Sequence, residues 1–285
     1  MAGAIPVSRD FTGLLTRGFA MGLVEVLPGV SGGTIALLTG IYDRLVSALA
    51  DLTIWTKNLL QKRDLDLPNL FQSLVVIVPV VLGMVVGFGT SVVFVSRILD
   101  SQPMLVWGGV FGLVAGAVIF TGVSSKGKSL VLFTPIGLLF AVLLNLIPVS
   151  DVEAPLIVVF AGAVLAFGAW ILPGISGSFV LLLLGVWTTM VHAIASLDLL
   201  VLAVFGIGLK IGFLVFSHPV RVLLVKYRDN LMAVFCGLLA GSLWRIWPWN
   251  SSYVQESSVL IVVLVMFSAF LVICVLTYAK NHRET

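Results

Sequence analysis

The chain has 285 residues, of which 60% are apolar and only 10% are charged. Soluble domains carry about 25% charged residues, so this composition and a mean hydropathy of +1.17 exclude a soluble globular protein. The net charge of +3 is small, and we expect no nucleic acid among the partners. Cys236 and Cys274 lie in apolar runs, which is typical of small core residues rather than of a disulfide or metal site.

Most apolar runs approach the ~20 residues that cross a bilayer as a helix. The sequence therefore predicts an all-α polytopic membrane protein. In chain order we expect a pair of short apolar segments at about 11–49, helices at about 70–97, 103–121 and 129–148, a second short pair at about 155–195, and helices at about 198–218, 230–247 and 258–279.

The chain repeats itself. The stretch 27-LPGVSGGT-34 returns as 172-LPGISGSF-179 at a spacing of 145 residues, and a block of glycines returns at a spacing of 125. The aligned glycines are Gly83, Gly87, Gly112 and Gly116 in the first half and Gly208, Gly212, Gly237 and Gly241 in the second. Their small-xxx-small spacing indicates close helix packing in lipid. The repeat divides the chain into residues 1–149 and 150–285.

Loop charges indicate how the two halves are oriented. If the N-terminus is cytoplasmic, 13 of the 16 basic residues fall in cytoplasmic segments, and only Arg97 and Arg245 lie outside. An odd number of crossings per half then makes the repeat inverted, with both termini in the cytoplasm. The cluster 244-WRIWPW-249 is typical of an aromatic belt at the outer interface. The loop charges do not distinguish short pairs that dip into the membrane from short pairs that span it. The length of the short segments favours pairs that dip.

Each short pair contains a proline-glycine break, at Pro28–Gly29 and at Pro173–Gly174, which ends its first helix. A serine then stands where an N-cap is expected, and the following backbone N–H groups form a site for a phosphate or carboxylate. The candidate phosphate-binding residues are Ser31, Gly32, Gly33, Thr34, Ser176, Gly177 and Ser178. A tight hairpin without a ligand is the alternative, and the recurrence of the motif disfavours it.

Glu25 lies one turn before Pro28, near a helix C-terminus, where the helix dipole disfavours a carboxylate. A protonated or proton-exchanging Glu25 would serve in coupling or gating, for which Arg17 is a further candidate. The alternative is a Glu25 that pairs with Arg17 or Arg44 at the membrane surface. Its repeat equivalent is Trp170, so only one half carries this carboxylate.

Lys210 lies in the middle of an apolar run, too deep to reach the interface fully, and Val85 is its repeat equivalent. A counter-charge to an anionic substrate or to Glu25 is favoured over a snorkelling surface lysine. Arg44 follows the first motif, where a phosphate contact and an orientation-setting surface charge are equally good interpretations.

The segments 18-GFAMGLVEVLPGVSGGTIALLTGIYDRLVSAL-49 and 172-LPGISGSFVLLLLGVW-187 closely resemble a bacterial family once described as domain of unknown function 368 and now regarded as polyprenyl-phosphate transporters. The paired PG[VI]SG motifs are the specific part of the resemblance. Matching positions are Glu25, Pro28, Gly29, Ser31, Gly32, Gly33, Thr34, Gly40 and Tyr42, then Pro173, Gly174, Ser176, Gly177 and Ser178. The arginine of Asp43–Arg44 departs from the pattern, which puts a role for Arg44 in doubt.

The resemblance implies a flippase that returns undecaprenyl phosphate across the bacterial cytoplasmic (inner) membrane, by alternating access, for reuse in cell-wall synthesis. It implies no catalytic residues, no metal and no cofactor, and it leaves open coupling to protons or sodium and assembly as a homodimer. Two alternatives remain. One is an ion-coupled transporter of a small soluble anion, and the other is a membrane enzyme that acts on a lipid phosphate.

Overall fold

The structure is a computed structural model that describes residues 10–25, 27, 30–125, 127–148, 153–249 and 258–281. In these residues every regular element is a helix, as the sequence predicts. The elements of the first half are α1 (Phe11–Val24), α2 (Gly32–Leu38), α3 (Tyr42–Leu60), α4 (Leu67–Thr90), a π-helical turn (Ser91–Val95), α5 (Ser96–Ser101), α6 (Pro103–Ser124) and α7 (Lys128–Leu146). Those of the second half are α8 (Leu156–Ile171), α9 (Gly177–Leu183), α10 (Val186–Ser196), α11 (Leu199–Lys226), α12 (Arg228–Ser242) and α13 (Val259–Asn281).

Four of the described helices are long and apolar enough to cross a membrane. They are Leu67–Leu99, which runs through the π-helical turn, Pro103–Ser124, Lys128–Leu146 and Leu199–Lys226. α9 and α10 together would pass as one span but are bent by 97°. α1, α8 and the part of α13 up to Val275 are shorter apolar helices. The chain is thus a multi-pass membrane protein.

Three helix boundaries differ from the sequence-based expectation. α3 continues to Leu60, beyond the expected end of the first short pair at residue 49. α11 continues to Lys226 rather than ending near residue 218, because Pro219 is tolerated inside it. α12 ends at Ser242, short of the expected residue 247 and just before an aromatic run that contains the helix-breaking Pro248.

Polar contacts define two ends of the molecule. The carboxylate of Asp10, just before α1, lies 3.8 Å from the guanidinium of Arg44 at the start of α3. Asp43 binds Arg228 at the start of α12, so the starts of α1, α3 and α12 share what we call the first end. At the opposite, second end, the amide of Ala154 before α8 donates to Thr189 Oγ1 in α10 at 2.8 Å.

Glycines allow four helix pairs to pack closely. Gly83 and Gly87 of α4 face the backbone of α1, and a Cβ atom on either would overlap a carbonyl oxygen. Gly208 and Gly212 of α11 face α8 in the same way. The remaining pairs are α6 with α13, which meet at Gly112 and Gly116, and α7 with α12, which meet at Gly237 and Gly241. The packing role predicted for the repeated glycines is therefore confirmed.

The largest core cluster lies where the two halves meet. It joins side chains of α2 and α3, such as Ala36, Tyr42 and Val46, to Ile171 of α8 and Phe235 of α12. The rings of Tyr42 and Phe235 meet edge to face with their centroids 5.8 Å apart. This packing fixes the ends of α1 and α8 against each other at the centre of the molecule.

Candidate functional site

The two helix breaks contact each other. Ser31 Oγ donates to the carbonyl oxygen of Leu172 at 3.4 Å, and the amide of Gly174 donates to Thr34 Oγ1 at 3.2 Å. The hydroxyl of Tyr42, at the start of α3, donates to the carbonyl oxygen of Ile171 at 2.8 Å. These hydrogen bonds satisfy backbone groups that the end of α8 leaves without helical partners.

Each short helix after a break begins at the serine that the sequence indicates. Ser31 is the N-cap of α2, and its Oγ accepts from the amide of Thr34 at 3.3 Å, which confirms the expected cap. Ser176 is the N-cap residue of α9, but its hydroxyl pairs with Ser178 Oγ at 2.6 Å and caps no backbone amide. The two N-cap serines are thus similar in backbone conformation and different in hydrogen bonding.

At the first break, the Glu25 carboxylate occupies the anion position at the N-terminus of α2. Its Oε1 accepts from the amide of Gly32, the first residue of α2, at 2.9 Å and from Trp170 Nε1 at 2.8 Å. The alternative that Glu25 pairs with Arg17 or Arg44 is therefore wrong. Those arginines approach Asp10 at the first end, at 2.9 and 3.8 Å.

A cavity of about 480 Å3 opens beside this carboxylate, between α4, α8, α9 and α11. Its polar lining is the side chains of Glu25, Trp170 and Ser178, with the backbone of Gly177 beside them. Its apolar lining consists of Val81, Met84, Val85, Phe88, Ala166, Phe167, Leu181, Phe205 and Leu209.

The cavity is lined almost entirely by apolar side chains, and its few polar groups belong to Glu25, Trp170 and Ser178. Val81, Val85 and Phe88 of α4 are 47%, 65% and 43% exposed, so this side of the cavity faces the surroundings of the membrane helices. These residues lie in the part of α4 nearer the second end. Among the described residues that line the cavity, Glu25 is the one charged group. The arrangement suits a molecule with a polar head and a long apolar chain.

The predicted phosphate-binding residues do not all line this cavity. Gly177 and Ser178 line the cavity. Gly32 does not, but its amide donates to Glu25, which does. Ser31 and Thr34 are buried and join the two breaks, while Gly33 packs against the backbone of α8. Pro28 and Gly29 lie outside the described residues. Pro173 is buried, and Gly174 has a φ of +91°, a turn conformation that favours glycine.

Lys210 and Arg44 lie apart from the cavity. Lys210 is exposed on α11, one residue beyond Leu209, which lines the cavity. The structure therefore brings Lys210 neither to Glu25 nor to the breaks. Arg44 lies at the first end near Asp10.

Arg245 was not among the sequence-based candidates, because it was assigned to an outer loop. The structure places its guanidinium carbon 4.2 Å from the ring centroid of Phe179 in α9. Arg245 also lines a small cavity with Ser176. The sequence signal that could have identified Arg245 is a basic residue within an aromatic cluster at the end of an apolar run.

Comparison with known proteins identifies relatives over most of the chain. A family model described as undecaprenyl phosphate translocase-like matches residues 21–260. A protein of Vibrio cholerae named polyprenyl-phosphate transporter is 34% identical over 252 residues, which cover 86% of this chain and 80% of that protein. A protein of Staphylococcus aureus with the same name is 27% identical over 259 residues, covering 82% of this chain and 85% of the relative. No solved structure matches the chain.

Proposed function

Because this chain belongs to the undecaprenyl phosphate translocase-like family, we propose that it moves undecaprenyl phosphate across the bacterial cytoplasmic membrane. The lipid carrier is taken from the outer leaflet and returned to the inner leaflet for reuse in cell-wall polymer synthesis. The observation that carries this proposal is the mainly apolar cavity of about 480 Å3 that reaches Glu25 and the second motif at Gly177 and Ser178.

The cavity matches the physical problem of moving a lipid phosphate. An isolated charge costs many kcal/mol in hydrocarbon, so the headgroup needs polar partners throughout its path. The isoprenoid chain needs none and can stay in the bilayer. A lateral mouth lined by Val81, Val85 and Phe88 lets the chain remain in lipid while the phosphate reaches Gly177 and Ser178.

The proposal includes an inverted repeat with two re-entrant pairs. The Asp10–Arg44 contact brings the chain back to the end at which α1 begins, and the Ala154–Thr189 hydrogen bond does the same for α8. Arg44 and Thr189 are repeat equivalents, 145 residues apart. The glycine-mediated pairs also correspond, since α1 with α4 matches α8 with α11, and α6 with α13 matches α12 with α7.

The phosphate is bound by backbone amides and hydroxyls of the two motifs. At the first motif, the Glu25 carboxylate already accepts from the Gly32 amide. A phosphate that approaches Gly32 must displace Glu25 or meet it in its neutral form, because two anions repel strongly where water is scarce. Glu25 therefore gates the first motif, and a proton is the ion that we propose to be coupled to this step.

Lys210 acts in the opposite state of an alternating-access cycle. In the present structure its repeat equivalent, Val85, lies at the mouth of the cavity near the second end. If the two halves exchange conformations, the equivalent cavity opens toward the first end and Lys210 takes the place of Val85. We assign the first end to the cytoplasm from the distribution of basic residues. Lys210 would then attract the phosphate at the inner leaflet.

The test is transport of undecaprenyl phosphate in proteoliposomes that contain the purified full-length protein. We expect the wild type to move the lipid between leaflets, and the variants Ser31→Ala, Ser178→Ala and Glu25→Gln to fold but transport more slowly. Trp244→Phe is the matched control, because Trp244 is 82% exposed and distant in sequence from both motifs.

Two other results would replace the proposal. Inorganic phosphate that competes with a short-chain lipid phosphate at equal affinity would indicate a transporter of small soluble anions. Release of inorganic phosphate from the lipid by the pure protein would indicate an enzyme. A wild type that neither binds nor moves the lipid would overturn the proposed function.

A further inference from the structure

A second cavity lies beside the N-terminus of α9. It is lined by Asn145 of α7, Ser242 of α12, Ser176 and Arg245, together with apolar neighbours. Its volume of about 20 Å3 is room for roughly one water molecule. The lining polar groups come from three separate parts of the chain, which indicates a small polar pocket rather than a local turn.

Arg245 points into the protein at this cavity. Its guanidinium lies over the ring of Phe179, the third residue of α9. The neighbouring Ile246 is 1% exposed, whereas Trp244 on its other side is 82% exposed. The turn after α12 therefore directs Arg245 toward the second break and Trp244 away from it. Arg245 is thus more than an orientation-setting loop charge.

The two cavities carry opposite charges at the second motif. The larger cavity contains Glu25 and is lined by Ser178, and the smaller one contains Arg245 and is lined by Ser176. The hydroxyls of Ser176 and Ser178 are 2.6 Å apart, so this pair connects the two cavities. An anion that enters along the apolar mouth reaches Ser178 first, beside a carboxylate that repels it. The neighbouring position at Ser176 offers a guanidinium instead.

We infer that Arg245 and Ser176 form the headgroup site for the phosphate monoester of the lipid, with its chain in the larger cavity. This inference rests on the proposed transport of a lipid phosphate and names the residues that select its headgroup. A guanidinium presents several N–H donors in a planar fork that matches phosphate oxygens, and the Ser176 hydroxyl adds another donor. Because the cavity is the size of a water molecule here, Arg245 must leave the Phe179 ring when phosphate binds.

The experiment compares two ligands that differ only in the headgroup. The affinities of a short-chain polyprenyl phosphate and of the matching polyprenol are measured for the full-length protein in nanodiscs. We expect Arg245→Gln to weaken binding of the phosphate by about 10- to 100-fold, the usual range for one charge-assisted hydrogen-bonded pair, and to leave the alcohol unchanged. Arg245→Lys keeps the positive charge but lacks the planar fork of donors. Its affinity for the phosphate should lie between those of the wild type and Arg245→Gln.

Phe179→Leu is the matched control, because it removes the ring under the guanidinium and keeps the charge. It should retain the preference for phosphate over alcohol. Wild-type phosphate affinity in Arg245→Gln would overturn the inference, and so would an equal loss of both ligands in Arg245→Gln and Phe179→Leu, which would make Arg245 a packing residue. A wild type without any preference for the phosphate would instead count against the proposed function.

Discussion

Glu25 and Trp170 occupy equivalent positions in the two halves, 145 residues apart, and bind each other through a 2.8 Å hydrogen bond from Trp170 Nε1 to Glu25 Oε1. Under an inverted repeat, equivalent residues that touch lie next to the axis relating the halves. Both residues also line the larger cavity. A relative movement of the two halves would therefore act directly on the contact between this carboxylate and this indole.

The Glu25–Trp170 hydrogen bond should stabilise the fold measurably. Trp170→Phe keeps an aromatic ring but removes the N–H donor, so Glu25 loses one of two partners in a site with few others. We predict a loss of about 1–3 kcal/mol in the free energy of unfolding, measured by thermal unfolding in detergent.

A double-mutant cycle with Glu25→Met separates this hydrogen bond from packing. In the Glu25→Met background the Trp170→Phe change should cost much less, because the acceptor is already gone. Equal costs in both backgrounds would show that the indole contributes only its bulk.

Glycine packing gives a prediction with a control on the same helix. A Cβ atom at Gly83 would overlap the backbone of α1, whereas one at Gly89 would meet nothing within 4 Å. Gly83→Ala should lower the free energy of unfolding by about 1–3 kcal/mol through overpacking, and Gly89→Ala should be neutral or slightly stabilising. Thermal unfolding of both variants checks this.

The second half offers the matching pair. Gly208 faces α8 closely, while a Cβ atom at Gly206 would lie in open space. We expect Gly208→Ala to destabilise and Gly206→Ala to have little effect. The packing interpretation fails if the exposed glycines are as sensitive as the buried ones.

The inverted orientation can be tested by labelling. Lys57 on α3 and Ser196 on α10 are both exposed and belong to opposite halves. In a background with Cys236 and Cys274 replaced by serine, Lys57→Cys should react with an impermeant maleimide only from the cytoplasmic side. Ser196→Cys should react only from outside, since the repeat places these segments at opposite ends. Labelling of both positions from one side would contradict the inverted repeat.

Lys210 supplies a prediction about the direction of movement. If it meets the phosphate only in the state open to the inner leaflet, Lys210→Met should slow transport while leaving binding from the outer leaflet close to that of the wild type. Arg63→Met, at an exposed position between α3 and α4, serves as a charge-matched control. Equal transport by Lys210→Met and the wild type would remove Lys210 from the mechanism.

The amino-acid sequence by itself determined the helical class, the membrane setting and the two breaks, each with a serine at the N-cap position of the next helix. Run length, proline and glycine act locally, so their effects can be read without knowing neighbours in space. Ser31 as the N-cap of α2 and Gly83 against α1 are examples. The boundaries of α3 and α12 were less accurate, because a helix can continue through a polar stretch, as α3 does to Leu60, and can end before a break such as Pro248.

Only the tertiary structure decided which charged groups meet the breaks. Lys210 was expected to be a counter-charge to an anionic substrate or to Glu25 but is exposed on α11. Trp170 binds Glu25 instead, and Arg245 reaches Phe179. These contacts depend on how each helix is rotated about its axis. In water, polar and apolar faces reveal that rotation, but in a bilayer the lipid-facing and buried faces are both apolar. The sequence therefore indicates where the membrane helices run, whereas packing between distant segments decides which groups they face.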